Sequence, residues 1–328
     1  MVRFTVLASG SKGNATVLSG GRTRILVDCG LSCRELFRRM RLMGEEPERL
    51  DAILITHEHS DHVGGVAVTA RKLKIPVFFT EGTHRAWMRW ISPRRQLTYA
   101  QWLEQCRKQA AERQAEADDP AEEGEPDEND LALDSSAETA ESAEPVETNN
   151  EAEPAPAKDP TWLPAVEYFQ AGEPFEIGDI SISPFTIPHD AADPVGFVFL
   201  AEGVRMGFAT DLGYIPPNVK EQLRELDLLL LESNHDLEML RDGPYPWAVK
   251  QRVLSRVGHL SNEAAAGFLE DGYDGQAAYV ILAHLSESNN LPELARVTAE
   301  RALNGRASLM ANRLLLAAQH EPLFPIDF

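Results

Sequence analysis

"ILITHEHSDHVGG", residues 53–65, sets four side chains able to bind a metal, His57, His59, Asp61 and His62, within six positions directly after an apolar run. Such groups are costly beside a buried strand unless they are satisfied. "AILIT" predicts a buried strand ending at Thr56, after which the chain enters a loop. His57 and His59 alternate there and can point the same way, while Asp61 and His62 fall at the start of the helix that follows. One set could hold one cation and the other set its neighbour. Gly64-Gly65 lets the backbone turn close to such a site. Imidazole and carboxylate together suit Zn, Mn or Fe better than Ca or Mg.

Outward from this stretch, the pattern predicts alternating strands and helices. "RFTVLAS" and "RTRILVD" read as strands separated by "GSKGNATVLSGG", which is full of turn residues. "CRELFRRMRLMG" has apolar residues at helical spacing (Leu36, Phe37, Met40, Met43) and Gly44 to end it. "VGGVAVTARKLK" reads as a helix and "IPVFFT" as the next strand. After residue 160, "PFEIGDISISPFTIPHD" reads as two strands around Gly178-Asp179, and "VGFVFLAEGVRMGFATDLG" as a hairpin turning at Glu202-Gly203. "LDLLLLESN" and "YVILAHLS" read as buried strands, and "PELARVTAERAL" as a helix. No internal sequence repeat is found, yet both parts share an order, a β meander followed by alternating β and α. Two similar layers packed as αββα are expected.

Charge is uneven. The 328-residue chain carries a net −21, which by itself argues against nucleic acid as a partner. Residues 1–110 are +8, residues 111–160 are −16 and residues 161–328 are −13. The stretch from 107 to 160 is acidic, rich in Ala and Pro and poor in aromatic residues. It cannot bury enough apolar area to offset its ordering entropy. It is expected to be a disordered insertion, with a fraying helix entering it from "TYAQWLEQCRKQAAERQ". The expected division is 1–106, 107–160 and 161–328, the first and last being halves of one domain. Three cysteines at irregular spacing make no disulfide framework. The apolar run at the N-terminus is too short for a signal peptide, and no run approaches the ~18 residues of a membrane helix. A soluble, cytoplasmic protein without a membrane partner is expected.

H-x-H-x-D-H after a buried strand resembles the signature of the metallo-β-lactamase superfamily. That resemblance demands further residues. An acidic residue should end an early strand, as Asp28 does in "ILVDCG". A later His should follow a strand, as His189 does in "TIPHDAADPVGF". An Asp should lie between the metals, as Asp211 in "GFATDLG", and a last His should follow, as His284 in "VILAHLS". The resemblance implies the αββα fold with two divalent cations. His57, His59 and His189 would hold the first, Asp61, His62 and His284 the second, and Asp211 would bridge them. Asp28 would lie behind the ligands and orient the loop or a ligand His. Asp rather than Cys at the bridging position makes antibiotic hydrolysis unlike this chain; it belongs to the phosphodiesterase, nuclease and glyoxalase II branches.

Finer motifs, "LASGSKGN" (7–14), "SNHDLEML" (233–240), "GPYPWAVKQRVLSRVGHLSN" (243–262) and "LAHLSESNN" (282–290), are similar to the YycJ/WalJ subgroup. This implies a 5′-to-3′ DNA exonuclease with a part in DNA repair, so that DNA is the expected partner. Two cations about 3.5–4 Å apart can share a hydroxide and offset transition-state charge. Asp211 would position it, with Asp61 in the catalytic set. His259 in "GHLSN" is the candidate for holding phosphate or protonating the leaving group, against a loop-packing histidine. Ser261 and Asn262 could hold phosphate oxygens. Ser11 and Asn14 either line the substrate entrance or belong to a plain β-turn; "SGSKGN" lacks P-loop spacing. His235-Asp236 is either a further metal or proton-relay pair reaching the site rim, or structural support with His235 behind the ligands.

Cys29 reads as a buried small hydrophobe, Cys29 and Cys33 as no zinc knuckle, and His84 and His320 as surface residues. "HRAWMRWISPRR" (84–95) interleaves cations with Trp87 and Trp90, which suits either base stacking or inward packing. The acidic segment could fold back over this basic surface. Two other functions are compatible with the residues, a glyoxalase II-like thioester or lactone hydrolase and a regulatory binding protein with a degenerate site.

Overall fold

On each sheet, apolar residues at successive positions of the buried strands divide between a core shared by the two sheets and an outer one under the helices, and that division sets the layers. The computed structural model describes residues 1–92, Arg107, 159–304 and 313–328. Its strands are β1 (Arg3–Ala8), β2 (Ala15–Ser19), β3 (Arg24–Val27), β4 (Ala52–Leu54), β5 (Val77–Phe79), β6 (Val166–Tyr168), β7 (Phe175–Ile177), β8 (Ile180–Thr186), β9 (Val195–Ala201), β10 (Val204–Ala209), β11 (Leu228–Glu232), β12 (Tyr279–Ala283), β13 (Arg313–Leu316) and β14 (Ile326–Asp327). They form two seven-stranded sheets, in the orders β14-β1-β2-β3-β4-β5-β6 and β13-β12-β11-β10-β9-β8-β7. In each, an antiparallel meander passes into parallel strands, β3-β4-β5-β6 in one and β10-β11-β12-β13 in the other. The expected repetition of order is therefore present in the topology.

Ile25, Val27, Ala52 and Leu54 of the first sheet share a core with Leu228, Leu230 and Ile281 of the second. Their neighbours in sequence point the other way. Leu26 and Ile53 pack on Leu36, Phe37, Met40 and Ala70 from the helices Cys33–Leu42 and Val66–Leu73. Leu229, Leu231, Val280 and Leu282 pack on Ala265, Ala295 and Ala299 from the helices Asn262–Gly267 and Pro292–Asn304. Helix, sheet, sheet and helix are thus stacked as four layers, αββα. Burial on both faces explains why "LLLL" is continuous rather than alternating. Each such fully buried Leu or Ile contributes about 1.5–3 kcal/mol. Apart from Arg107 and Asp159, the described residues form one compact unit, Met1–Ser92 with Pro160–Phe328.

Several elements differ from expectation. "GSKGNATVLSGG" contains β2, whose five residues are all buried between β1 and β3. Its Thr and Ser look turn-like, but a central strand can carry them when its ladder bonds are complete. The helix read from residue 63 begins at Val66; Val63 closes a short separate helix, Ser60–Val63. The segment after residue 160 serves both sheets, because β6 pairs with β5 and β14 with β1. His84 is buried rather than on the surface; its Nδ1 lies 2.7 Å from Tyr168 Oη and its ring stacks on Phe79. Apart from Arg107 and its last two residues, the insertion expected over 107–160 lies outside the described residues, as do Cys106 and Arg94-Arg95. Among the described residues no helix is long and apolar enough to cross a membrane.

Candidate metal centre

Six strands end at one edge of the sandwich, and the loops leaving their C-terminal ends carry the polar residues. Asp28 follows β3, the 57–62 loop follows β4, His189 follows β8, Asp211 follows β10, Glu232 ends β11 and His284 follows β12. Asp28, Asp211 and His284 hold φ values of 58°, 61° and 56°. Half of the six left-handed non-glycine positions among the described residues thus fall in this cluster. Such backbone costs an L-residue energy, and it concentrates at functional sites.

Asp28 organises the first-sheet side. Its carboxylate, fully buried, accepts from Thr56 N at 3.0 Å, Thr56 Oγ1 at 3.0 Å and His62 Nδ1 at 2.8 Å. Since the Thr56 hydroxyl donates to Asp28, its oxygen accepts from His57 Nδ1 at 3.0 Å. Both imidazoles therefore turn Nε2 inward. His189 Nδ1 donates to the Gly258 carbonyl at 3.1 Å, which leaves its Nε2 3.2 Å from His59 Nδ1.

Glu232, which the sequence alone does not single out, does the same on the second-sheet side. Its Oε1 accepts from His259 Nδ1 at 2.8 Å and His284 Nδ1 at 2.9 Å, and its Oε2 from the Leu212 and Leu260 amides at 2.9 and 3.1 Å. The signal was the one used for Asp28, a lone carboxylate ending an apolar strand.

The seven proposed ligand residues converge. The side-chain donors of His57, His59 and His189 lie within 4.8 Å of one another, and so do those of Asp61, His62 and His284. Asp211 falls in a group with His57 and His62 and in another with Glu232, His259 and His284, between the two sets. His57 Nε2 and Asp211 Oδ2 are buried without a hydrogen-bond partner. Buried polar atoms rarely stay so, and an imidazole–carboxylate set of this kind fits divalent Zn, Mn or Fe.

Electrostatics follow from the packing. Burial holds the His57 pKa well below the ordinary value, and burial also lowers His189. Burial opposes a charge on His62, but the carboxylates of Asp211, Asp28 and Asp61 outweigh it and raise His62 well above the usual range. His284 is raised likewise against burial, by Asp211, Asp61 and Glu232. Burial pushes the Glu232 pKa up, yet His259 and His284 prevail and bring it down to about 2. Asp211 is held well below the carboxylate range by His284 and His62, again against burial.

The remaining sequence candidates separate. A cleft of about 530 Å³ lies over this floor, and Ser11 and His259 line it. Asn14 does not line it: its Oδ1 accepts from Gly10 N and its Nδ2 lies 3.2 Å from Asp61 Oδ2, so it holds the 10–14 loop against the ligand loop. Ser261 caps the helix that follows, accepting from Ala264 N at 3.1 Å. Asn262 is buried and bonded to Ser233 and Asn290. Neither lines the cleft; as in a capping Ser-Asn, their polar atoms are turned to the chain's own backbone and neighbours. His235 is buried, with neither ring nitrogen hydrogen-bonded, and its pKa is lowered to about 4 by burial. It does not line the cleft, so it is no rim relay.

The ligand loop sits against bare backbone. Asn14 N donates to Asp61 O, Cys29 N to His62 O and Gly65 N to Cys29 O, at 2.7 Å each. A Cβ on Gly30 would meet Asp61 O at 1.6 Å and Asn14 N at 2.7 Å. Overpacking of this kind costs up to about 3 kcal/mol. Gly30→Ala should therefore lower the melting temperature by about 6–10 °C. A melt within about 2 °C of wild type would show that this contact does not constrain the loop.

The metallo-beta-lactamase superfamily model matches residues 8–249 of the chain. The chain is 31% identical over 305 residues to an exodeoxyribonuclease, YycJ, of Bacillus anthracis, covering 92% of this chain and 89% of that protein. It is 31% identical over 296 residues to the exodeoxyribonuclease WalJ of Streptococcus pneumoniae, covering 90% of this chain and 86% of that one. Among solved structures, the metallo-beta-lactamase fold protein YhfI of Bacillus subtilis superposes with a TM-score of 0.57 at 14% identity, over 98% of both chains. Human tRNase Z, short form, gives 0.52 at 15% identity, also over 98% of both.

Proposed function

The chain belongs to the metallo-β-lactamase superfamily, and from that premise we propose that it is a phosphodiesterase using two divalent cations, of the 5′-to-3′ DNA exonuclease type, acting in the cytoplasm. The observation that carries the proposal is the convergence of His57, His59, His189, Asp61, His62 and His284 around the buried Asp211 carboxylate. Two relatives named exodeoxyribonucleases, each matched over nine-tenths of this chain, support DNA as the substrate.

In this reading the three histidines His57, His59 and His189 hold one cation, Asp61, His62 and His284 the other, and Asp211 lies between. Bound there, the cations would polarise the phosphoryl group and supply a water ionised near neutral pH. The chain's own groups do the rest. Asp211 orients the attacking water and accepts a hydrogen bond from it. Asp28 and Glu232 fix the histidine tautomers, so that ring nitrogens and not N–H groups face the cations. His259, its Nδ1–H committed to Glu232, presents Nε2 to the cleft, where it can protonate the departing oxygen. Zinc and manganese are the metals to test first.

The test is a panel of duplex and single-stranded oligonucleotides with defined ends, assayed with Mn and with Zn, beside a glutathione thioester and with Asp61→Ala as control. Stepwise release from a 5′-phosphorylated end, absent in Asp61→Ala, is expected. Hydrolysis of the thioester with no action on DNA would overturn the nuclease reading, and metal analysis finding fewer than two ions with no hydrolysis of any ester would overturn the enzyme itself.

A further inference from the structure

The cleft has a polar floor and an aromatic wall that the floor chemistry does not require. Trp87 and Trp90 are one turn apart on the helix Glu81–Ile91, yet they part company. Trp87 is fully buried, against Phe79 and His84. Trp90 is 56% exposed, belongs to none of the buried clusters, and lines the cleft beside His59 and Asp61. The same cleft is also lined from the second half of the fold, by Tyr245 and Arg252, around the helix Trp247–Val253. The Arg252 guanidinium is held by Asp190, to which Nε and Nη2 donate, so its remaining edge is turned from that carboxylate.

Trp162 and Trp247 are as exposed, but neither lines the cleft; the Trp90 indole does, and it offers a flat face there. A phosphodiester substrate carries one on every nucleotide. We propose that Trp90 stacks on the base adjoining the scissile phosphodiester, with Arg252 placed for a flanking phosphate, so that the cleft receives an unpaired nucleic-acid end. A paired base is committed to its neighbours in the duplex, whereas an unpaired one can leave the stack and lie against an aromatic ring. Stacking is sequence-tolerant, because every base offers a π-face. Duplex ends must then fray before they are cut, and base preference is weak. The inference rests on the phosphodiesterase reading above.

Steady-state cleavage of a 5′-phosphorylated single strand by the full-length wild type, Trp90→Ala and Trp90→Phe tests it. The strand is used intact and with an abasic site at its first or second position. Trp90→Ala should raise KM on the intact strand about ten-fold, with kcat little changed, and Trp90→Phe should restore most of it. One of the two abasic strands should cost the wild type a similar factor and cost Trp90→Ala nothing more. If Trp90→Ala matches wild type on the intact strand, or loses the same factor on every abasic strand, the stacking role falls and the nuclease reading stands. If the wild type cuts no strand, both fall together.

Discussion

Asp211→Asn is expected to lower phosphodiester hydrolysis by about 10³-fold or more, and to reduce bound metal from two ions per chain to one or fewer. The substitution keeps the shape of the side chain. Asn also tolerates the left-handed backbone at this position, φ 61°, better than other residues, so the fold should survive. What it removes is the charge. Asp211 is 2% exposed and its oxygens lie 3.4 Å from His62 Nε2 and 3.3 Å from His284 Nδ1. Among the described residues no other carboxylate belongs to groups on both sides of the site. An amide there would have one neutral oxygen in place of the anion that the proposed reading sets between two cation sites, and it would turn an N–H toward one of them. Metal analysis, thermal melting and turnover on the same preparation separate the causes. A variant that keeps two ions and stays within ten-fold of wild type would mean that Asp211 is not the bridging group.

The sequence was most informative where polar residues are packed most densely. His57, His59, Asp61 and His62 are legible because four such side chains directly after a buried strand are costly unless they share a partner. Asp28, His189, Asp211 and His284 lie alone, each just past a strand, and only the family resemblance singled them out. Glu232 has the same signature and escaped, since nothing in one dimension tells a carboxylate that anchors two histidines from one that faces water. Ser261 and Asn262 show the opposite ambiguity. A helix-capping Ser and a phosphate-binding Ser look alike until the backbone N–H of Ala264 is seen to take the oxygen. The sequence leaves Trp87 and Trp90 between stacking and inward packing, because three-residue spacing puts both near one helix face. Only the end of the helix, where Trp90 clears the core, separates them.

Glu232→Gln should lower turnover on DNA by about 10³-fold, combining the usual range for a lost general acid with that for a disturbed ligand. The reason is a conflict of donors. The Glu232 carboxylate accepts four hydrogen bonds, two from backbone amides and two from the Nδ1–H groups of His259 and His284. A glutamine has one oxygen. If that oxygen serves the amides of Leu212 and Leu260, the NH₂ group faces both imidazoles. Each ring must then move its proton to Nε2, which on His284 is the atom 3.5 Å from Asp61 Oδ2. A ligand nitrogen carrying a proton cannot bind a cation, so affinity for the second ion should fall ten- to a hundred-fold. With Nδ1 accepting rather than donating, His259 loses the carboxylate that orients its ring and pairs with the proton it delivers to the leaving oxygen. The two losses can be told apart at saturating metal, by comparing DNA with a nitrophenyl phosphodiester. Nitrophenolate departs without a proton, so the variant's deficit should shrink on that substrate if His259 acts on the leaving oxygen. An equal deficit on both substrates would assign Glu232 to metal placement alone, through His284.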